Sequence, residues 1–370
     1  MNALGIIFSN IHDSNVPELT TERTMASIPF CGRYRLIDFA LSNMINSGIS
    51  KVGIITKSNY QSLMDHLGSG KDWDLARKNG GLMLLPPFGV QENSMVYNTR
   101  LEALKGVSGF LNKSQEEYVV MSDSDFVCSM DLEQVFNFHK DKRADVTMVY
   151  TKKSKKEICG INNIILEVNK DGRVKDMLFD PKPQDGMNLY SNIMIIKRAL
   201  LCSLIAESLA HGKKSFSKDV LVNNLDSMKI CGYEYSGYMA TISSLQGYYD
   251  VSLGLLDKET RHKLFNETEI YTKIKDSVPT KYGNNAVVKN SLIADGCDIE
   301  GEVYNSIIFR GVKVARGTVV KNCILMQDTI TGENVELNAI ITDKDVVIRD
   351  NRKLSGCDTH PFFIKKGSVI

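Results

Sequence analysis

The sequence predicts an α/β domain with a mostly parallel sheet, followed by a parallel β-helix. Two observations carry this prediction. Strand and helix patterns alternate over residues 1–255, and over residues 284–370 an apolar residue returns about every six positions. A charged stretch, 256–283, separates the two patterns, and we expect it to form a helix and a connector. A chain of 370 residues is long enough for two domains of this kind.

The elements of the first domain follow from short apolar runs and from the helical spacing of apolar residues. We predict strands over Ala3–Phe8, Val52–Thr56, Tyr118–Met121 and Val146–Tyr150, and helices over Leu36–Ile49 and from Leu132 onward. Parallel sheets bind ligands beyond the carboxyl ends of their strands. The loop Ser9–Asn15 and the segment Asp123–Asp125 both follow such ends, so they are candidates for one binding site.

The second domain is predicted from its period. A spacing of six fits neither a helix nor a simple alternating strand, and it is typical of a β-helix in which each short strand points one apolar residue inward. Small residues, Gly, Asn and Asp occupy the corners. The predicted inward residues are Val287, Ile293, Ile299, Ile308, Val314, Val320, Ile324, Ile330, Val335, Ile341 and Val347.

Composition excludes several functional classes. The formal net charge is +1, so we expect neither a nucleic-acid nor a membrane partner. No apolar run approaches the roughly 18 residues that a membrane-spanning helix needs. The eight cysteines are scattered without a CxxC pair, which predicts reduced thiols and no zinc site. We therefore expect a cytoplasmic protein.

Three stretches carry a resemblance to a known family. The motifs YRLIDF and LSNMINSGI, within Pro29–Ile49, and the long segment Ser291–Met326 resemble ADP-glucose pyrophosphorylase, also called glucose-1-phosphate adenylyltransferase. The likeness covers nearly the whole chain. It implies a Rossmann-like nucleotidyltransferase domain followed by a left-handed β-helix of hexapeptide repeats. Active members of the family convert ATP and glucose 1-phosphate to ADP-glucose and pyrophosphate.

The resemblance also shows what has changed in the phosphate-binding loop. The family carries GGxGTRL after its first strand, and the two sequences align without gaps from Phe8 to Arg23. The family glycines then fall on Asn10, Ile11 and Asp13, and the loop arginines fall on His12 and Asn15. A β-branched residue is poor at the positive φ angles that glycines supply, and a carboxylate repels phosphate. We expect a plain polar loop here.

The cationic and metal-binding positions have changed as well. The lysine of the family motif RAKPAVPF falls on Met25. The first metal-binding aspartate is retained as Asp125, although the preceding glycine has become Ser124, and the second aspartate has become Thr241. One carboxylate is a poor ligand set for Mg²⁺. We therefore expect no cofactor in this chain, and Mg²⁺ would be supplied at the site of a catalytic partner.

On the sugar side the family motif FxEKP becomes FDPKP. Lys182 matches the lysine that contacts the sugar phosphate, and Pro181 replaces the glutamate. Lys182 is either a remaining phosphate contact or a surface lysine. The residues that could still serve a substrate are thus Asp125, as a catalytic or metal-binding carboxylate, and Lys182 and Arg23, as substrate-binding cations.

These changes predict a poor catalyst. Removing one preorganised donor typically costs about 10²–10³ in rate, so we expect a deficit of at least ~10³. The pattern resembles the non-catalytic D-type subunit of bacterial glycogen synthesis. It implies a regulatory subunit that joins a catalytic paralogue in a hetero-oligomer, as a tetramer, with self-association and sugar-phosphate or nucleotide effectors as further expectations. Two alternatives stay open: an active adenylyltransferase with an altered site, and a sensor that binds sugar phosphate or nucleotide.

Overall fold

The computed structural model describes residues 1–87, 97–158, 160–266 and 268–370. Its first domain contains a nine-stranded mixed sheet. The strands of this domain are β1 (Ala3–Phe8), β2 (Pro29–Phe30), β3 (Tyr34–Arg35), β4 (Lys51–Ile55), β5 (Gly81–Leu85), β6 (Tyr118–Asp123), β7 (Phe126–Cys128), β8 (Val146–Lys153), β9 (Ile164–Val168), β10 (Val174–Phe179), β11 (Met187–Lys197), β12 (Ile230–Glu234) and β13 (Met239–Thr241).

The helices of the chain connect these strands and lead into the second domain. They are α1 (Pro17–Thr20), α2 (Leu36–Asn46), α3 (Gln61–Leu67), α4 (Arg100–Gly106), α5 (Ser108–Lys113), α6 (Leu132–Asp141), α7 (Arg198–Ala210), α8 (Leu245–Gly254) and α9 (Lys258–Phe265). A π-helix spans Phe216–Leu221. Among the described residues, no helix has both the length and the apolar character that crossing a membrane requires.

The order of the strands places the candidate site. Strand β1 lies between β4 and β6 and is parallel to both, and β11 then runs antiparallel to β6, β8 and β9. Phe8, the last residue of β1, is paired with Asp123, the last residue of β6. The loop Ser9–Asn15 and the segment Asp123–Asp125 therefore emerge side by side, as the parallel-sheet prediction requires.

Helix α2 begins where its sequence indicates and ends earlier than predicted. Asp38 accepts a hydrogen bond from the backbone N–H of Arg35 at 2.9 Å, which satisfies a donor at the start of the helix. The helix ends at Asn46, and Gly48 has a φ of +77°. Glycine adopts that left-handed conformation at low cost, so the chain leaves the helix before Ile49.

The second domain is the expected β-helix, built from three parallel sheets of five short strands each. Its first strand begins three residues before the expected boundary at residue 284. The strands are β14 (Lys281–Tyr282), β15 (Val287–Lys289), β16 (Leu292–Ile293), β17 (Asp298–Ile299), β18 (Glu302–Tyr304), β19 (Ile307–Ile308), β20 (Lys313–Val314), β21 (Val319–Lys321), β22 (Ile324–Leu325), β23 (Ile330–Thr331), β24 (Glu336–Asn338), β25 (Ile340–Thr342), β26 (Val347–Ile348), β27 (Lys353–Ser355) and β28 (Phe362–Ile364).

The predicted inward register holds only in part. Ile299, Ile308, Val314, Val320 and Val335 are buried in the β-helix core as expected. At Ile324, Ile330, Ile341 and Val347 the prediction is wrong by one residue. The step from Val320 to the next inward residue, Leu325, is five residues and not six, and the following strands keep that shifted register. Ile330 accordingly lies outside, with 38% of its surface exposed.

One face of the β-helix packs against the first domain, and the two domains share a hydrophobic core there. The contributing β-helix residues are Ile307, Phe309, Ile324, Met326, Ala339 and Ile341. Phe30 of β2, Phe39 of α2 and Tyr248 of α8 meet them from the other side, and Phe30 packs edge-on against Phe39. Burial of this much apolar surface fixes the β-helix against the hairpin β2–β3.

Candidate active site

The loop after β1 has an ordinary backbone. All residues from Ser9 to Val16 are described, and none of them has a positive φ. A single 3₁₀ turn, Asp13–Asn15, follows the strand. This loop therefore does not use the left-handed angles for which glycine is suited, and Ile11 is accommodated without that strain.

The side chain of Asn10 holds the loop closed. Its Oδ1 accepts hydrogen bonds from the backbone N–H of Lys57, at 2.9 Å, and from the hydroxyl of Ser9, at 2.7 Å. Its Nδ2 donates to Oδ2 of Asp13 at 2.6 Å. Asn10 is 5% exposed. A buried amide with both ends bonded fixes the loop to the end of β4 and to the turn that follows.

The carboxylate of Asp13 faces the backbone of Met25. Its Oδ1 accepts the Met25 N–H at 2.7 Å. Met25 itself is a core residue, 1% exposed, at the position where the family has a lysine. Burial raises the pKa of Asp13 to about 6, although the hydrogen bonds from Asn10 and Met25 oppose the shift. A backbone donor beside the loop is thus already taken by an internal anion.

His12 and Arg100 enclose the carboxylate of Asp123. His12 Nε2 lies 2.5 Å from Asp123 Oδ2 and 3.5 Å from Asp125 Oδ2. Arg100, the first residue of α4, is ion-paired to Asp123 and donates to Oδ1 of Asn192 at 2.8 Å. The two carboxylates of the segment therefore lie beside two cationic groups of the same chain.

The pKa values within this cluster follow from its charges. Burial would lower the pKa of His12, but the charges of Asp125 and Asp123 outweigh burial and hold that pKa above its ordinary value. Burial would raise the pKa of Asp123, but Arg100 and His12 keep it low. Burial raises the pKa of Asp125. The carboxylates thus favour the charged form of the imidazole, and the guanidinium and the imidazole favour the charged form of Asp123.

The two aligned metal positions do meet in space. Asp125 accepts the backbone N–H of Ile242 at its own carbonyl, at 2.7 Å, directly after Thr241. Strand β13 pairs Thr241 with Phe126. Ser124 turns away and donates its hydroxyl to the Phe8 carbonyl at 3.0 Å.

A small cavity of about 20 Å³ lies beside Asp125 and Thr241. Three buried atoms of its lining residues have no hydrogen-bond partner in the described structure: Oδ1 of Asp125, Oδ1 of Asn15 and Oγ of Ser191. A cavity of this size has room for about one water molecule. The orphaned oxygens mark it as the polar centre of the site.

A second cavity, of about 230 Å³, lies at Phe179, the first residue of the FDPKP segment that aligns with the family's FxEKP motif. It is lined by His12, Arg100, Phe179, Asp180 and Lys218, with other residues. The ammonium of Lys218 lies 4.8 Å from the centre of the Phe179 ring. Asp180 has a φ of +47°, and the chain then turns away.

Lys182 and Pro181 lie after this turn. Lys182 is exposed, and the described residues offer it neither a hydrogen bond nor an ion pair. Pro181 is half-buried. The role of Lys182 as a phosphate contact stays a prediction, because the side chain does not line the cavity next to Phe179.

Comparison with known proteins identifies the family to which this chain belongs. The model of the Nucleotidyl transferase family matches residues 14–231, and the model "GlmU-like, C-terminal hexapeptide" matches residues 276–361. The "Glycogen biosynthesis protein GlgD" of Bacillus subtilis (strain 168) is 37% identical over 367 residues, which is 99% of this chain and 96% of that protein. The chain belongs to the family of glucose-1-phosphate adenylyltransferases and GlgD proteins.

Further relatives agree with this assignment. The GlgD of Geobacillus stearothermophilus is 38% identical over 99% of the chain and 96% of its own length. The "Glucose-1-phosphate adenylyltransferase" of Bacillus mycoides (strain KBAB4) is 32% identical over 91% of the chain and 90% of its own length. The chain is therefore similar along nearly its whole length both to proteins named GlgD and to proteins named as the enzyme.

The Mg²⁺ that serves the family's reaction does not fit the groups present here. His12, Asp123 and Asp125 offer ligand atoms within 4.8 Å of one another. Mg²⁺ prefers oxygen ligands in octahedral geometry. In this chain one of the three ligands is an imidazole with a raised pKa, and Asp123 is ion-paired to Arg100. The divalent charge would have to displace two cationic groups, and Thr241 supplies no carboxylate.

The environment of Arg23 differs from the expectation that it is a substrate-binding cation. Its side chain is 3% exposed, and its Nη2 donates to the two carboxylate oxygens of Asp343, in the β-helix, at 2.7 Å and 3.0 Å. A guanidinium that is buried and paired in this way is not available to a substrate. Arg23 instead joins the two domains.

Sequence reasoning did not single out two residues that line the site, Arg100 and Lys218. Arg100 follows Thr99, which with Glu102 forms a capping box at the start of α4. The pattern T-x-x-E was a readable signal that α4 starts there. Its arginine therefore begins a helix, but only the fold shows that the helix points it at Asp123.

Proposed function

We propose that this chain is a regulatory, catalytically impaired subunit of glucose-1-phosphate adenylyltransferase. In this proposal it assembles with a catalytic paralogue and modulates ADP-glucose synthesis for glycogen. The single observation that carries the proposal is the His12–Asp123–Arg100 cluster, in which His12 and Arg100 contact the carboxylate of Asp123, two residues before the retained metal position Asp125. The catalytic partner would hold the Mg²⁺ and the triphosphate.

The closed loop supports the proposal independently. Transfer of a nucleotidyl group needs backbone donors and cations aimed at the phosphates. Here the carboxylate of Asp13 takes the N–H of Met25, and Asn10 holds that carboxylate. An anion fixed at this position repels the phosphates that the family's loop attracts.

Retained architecture supports an assembly role. The β-helix and the hairpin β2–β3 share one core with α8, so the frame is intact although the site is altered. Relatives named "Glycogen biosynthesis protein GlgD" align with nearly all of the chain. A subunit of this kind acts by binding one state of its partner better than another, with a coupling of about 1–3 kcal/mol.

The test is ADP-glucose synthesis by the purified chain, by the catalytic paralogue of its organism, and by a mixture of both. We expect no steady turnover by the chain alone and changed kinetics in the mixture, together with a complex in analytical ultracentrifugation. A mixture in which the catalytic paralogue has lost its metal-binding aspartate provides the control and is expected to be inactive. Absence of both a complex and a kinetic change would refute the proposal.

A second candidate is an active adenylyltransferase with an altered site. The unpartnered Oδ1 of buried Asp125 favours it, because a free carboxylate oxygen is what a metal ion needs. This candidate predicts turnover by the chain alone that Asp125→Ala abolishes. The regulatory proposal predicts that Asp125→Ala leaves the modulation of the partner in place.

A further inference from the structure

His12 lies close enough to two carboxylates to share a metal ion with them. Its Nε2 is 2.5 Å from Oδ2 of Asp123 and 3.5 Å from Oδ2 of Asp125. The three side chains are buried, and they offer ligand atoms that all lie within 4.8 Å of one another. Among the described residues this is the one group of three or more His, Cys, Asp or Glu side chains that is close enough to hold a metal ion.

Buried oxygens without a partner lie at the same place. Asp125 is 3% exposed and Ser191 is 6% exposed, yet Oδ1 of Asp125 and Oγ of Ser191 have no hydrogen-bond partner in the described structure. Both residues line the cavity of about 20 Å³ that His12 also lines. An unpaired buried polar atom costs free energy, so a ligand that pairs with it is favoured. The cavity has room for about one water molecule, which is the usual fourth ligand of a zinc ion held by three side chains.

The nitrogen ligand selects the kind of ion. Mg²⁺ takes oxygen ligands in octahedral geometry, whereas imidazole suits Zn²⁺ and its neighbours among the transition metals. Zn²⁺ is bound tetrahedrally by histidine nitrogen and carboxylate oxygen, and a histidine ligand releases any proton from the nitrogen that binds. The imidazole of His12 therefore competes with Mg²⁺ for Asp123 but serves Zn²⁺ as a ligand.

Arg100 is compatible with an ion at this position. Besides its contact with Oδ2 of Asp123, it donates from Nε to Oδ1 of Asp123 at 3.3 Å and from Nη2 to Oδ1 of Asn192 at 2.8 Å. When a metal ion takes Oδ2 of Asp123, the guanidinium keeps these two other acceptors. A ligating carboxylate is commonly held by a further hydrogen bond of this kind.

We propose that His12, Asp123 and Asp125 form a Zn²⁺ site, with a water molecule in the small cavity beside Asp125 as the fourth ligand. The ion joins the loop Ser9–Asn15 to the end of β6. No cysteine takes part, so the scattered cysteines carry no signal of this site. The site goes beyond the proposed regulatory function and does not rest on it.

The experiment is calorimetric titration of the full, chelator-treated chain with ZnCl₂ and, separately, with MgCl₂. We expect a single strong Zn²⁺ site that binds at least about tenfold more tightly than Mg²⁺ does. Zn²⁺ should also raise the unfolding temperature more than Mg²⁺, because an ion that binds only the folded chain stabilises it. Diffraction from Zn²⁺-soaked crystals at the zinc absorption edge should place the ion between His12, Asp123 and Asp125.

Two variants each remove one ligand. His12→Gln keeps a hydrogen-bonding side chain beside Asp123, and Asp125→Asn keeps the shape of the carboxylate. Each should weaken Zn²⁺ binding by about tenfold or more, since even the outer partners of metal ligands are worth about 10–100-fold in affinity. The Mg²⁺ affinity of His12→Gln should not fall, because Mg²⁺ does not use the imidazole. Circular dichroism establishes that each variant is folded.

Two controls test other histidines. His66 lies 2.6 Å from Asp38 in another buried pair, but within the described ranges no further carboxylate completes a metal group there. Cys357 and His360 are exposed and three residues apart, so they offer Zn²⁺ a surface site. His66→Gln, and the double variant Cys357→Ser with His360→Gln, should both keep the tight Zn²⁺ binding of the unaltered chain.

The opposite results would overturn the proposal. These are no saturable Zn²⁺ binding by the unaltered chain, binding that the Cys357 and His360 double variant loses and His12→Gln keeps, or an ion located elsewhere. Mg²⁺ binding as tight as Zn²⁺ binding would also overturn it and would favour the active adenylyltransferase. The regulatory proposal fails separately, when the mixture with the catalytic paralogue shows unchanged kinetics while this chain still binds Zn²⁺.

Discussion

Arg23 and Asp343 form a buried ion pair between residues 320 positions apart in sequence, with Nη2 of Arg23 2.7 Å from Oδ1 of Asp343. We predict that Asp343→Asn lowers the free energy of unfolding by about 3–5 kcal/mol, because it leaves a buried guanidinium without its partner. Arg35 and Lys344 lie near enough to Arg23 to add like charge, and they make its isolation more costly. Urea unfolding measures the loss.

The matched control is the double variant Arg23→Met with Asp343→Leu. Replacing both partners by apolar side chains of similar size is often neutral, because no charge remains to be desolvated. We expect most of the stability to return. The single variants Arg23→Met and Asp343→Leu complete the comparison. If the double variant loses as much stability as the two single variants together, the two residues do not act as a pair and the prediction is wrong.

A second prediction concerns the lost metal carboxylate. The substitution Thr241→Asp places a second carboxylate beside Asp125. We expect this variant to bind Mn²⁺ at least about tenfold more tightly than the unaltered chain does, because an added carboxylate ligand strengthens the binding of a divalent ion. Turnover should not return, because Asp13 and Arg100 still occupy the loop and the metal segment. Titration calorimetry gives the affinity.

Thr241→Asn is the control for this variant, since it has the shape of aspartate without the charge. An equal gain in Mn²⁺ affinity for the asparagine variant would contradict a carboxylate effect. Steady ADP-glucose formation by Thr241→Asp would show that loss of the second aspartate alone inactivates the site.

A third prediction uses the backbone of the hairpin β2–β3. Cys31 has a φ of +47° and is followed by Gly32 at +80°, so a cysteine occupies a left-handed position in the turn. A side chain there costs roughly 1–2 kcal/mol, and glycine avoids that cost. We expect Cys31→Gly to keep the free energy of unfolding within about 1 kcal/mol of the unaltered chain.

Cys31→Val is the comparison. A β-branched residue is strongly disfavoured at positive φ, and we expect it to lower stability by about 1–3 kcal/mol. Thermal unfolding of the two variants ranks them. If valine is tolerated as well as glycine, the turn must change its backbone to accept it, and the strain argument fails.

The first domain could be predicted closely because its signals are local. The strand Ala3–Phe8 lies where its apolar run indicates, and the carboxyl-end rule placed the site at Asp123–Asp125. The helix boundary at Asn46 was missed, since the glycine that ends the helix lies two residues beyond it. Local patterns thus determine elements better than they determine ends.

The register of the β-helix and the contacts of the site residues depend on three-dimensional packing, which a sequence pattern does not contain. In the β-helix, the choice between Ile324 and Leu325 as the inward residue depends on the length of one coil side. Arg23 could not be assigned to Asp343, because an ion pair across two domains has no spacing signature. Nor could Arg100 be assigned to Asp123, since that contact requires α4 to pack in one hydrophobic core with β1 and β6.

A fourth prediction concerns the pH dependence of stability. His139 is 2% exposed in α6, and its Nδ1 lies 2.8 Å from the Thr147 hydroxyl. Burial lowers its pKa to about 4, and the charge of Lys197 adds to the shift. Below pH 6.5, the ordinary pKa of histidine, His139 binds a proton in the unfolded chain but remains neutral in the folded chain until about pH 4. The free energy of unfolding therefore decreases as the pH falls from about 6.5 to about 4.

The comparison is His139→Gln, which keeps a hydrogen-bonding side chain but does not titrate. Between about pH 6.5 and 4 the unaltered chain should lose stability faster than the variant, by up to about 1.4 kcal/mol per pH unit. Asp13, with a pKa raised to about 6, has the opposite sign, because the folded chain holds its proton longer, but it is present in both proteins and cancels. Equal pH profiles in urea unfolding would mean that the pKa of His139 is the same in the folded and the unfolded chain, and the prediction would be wrong.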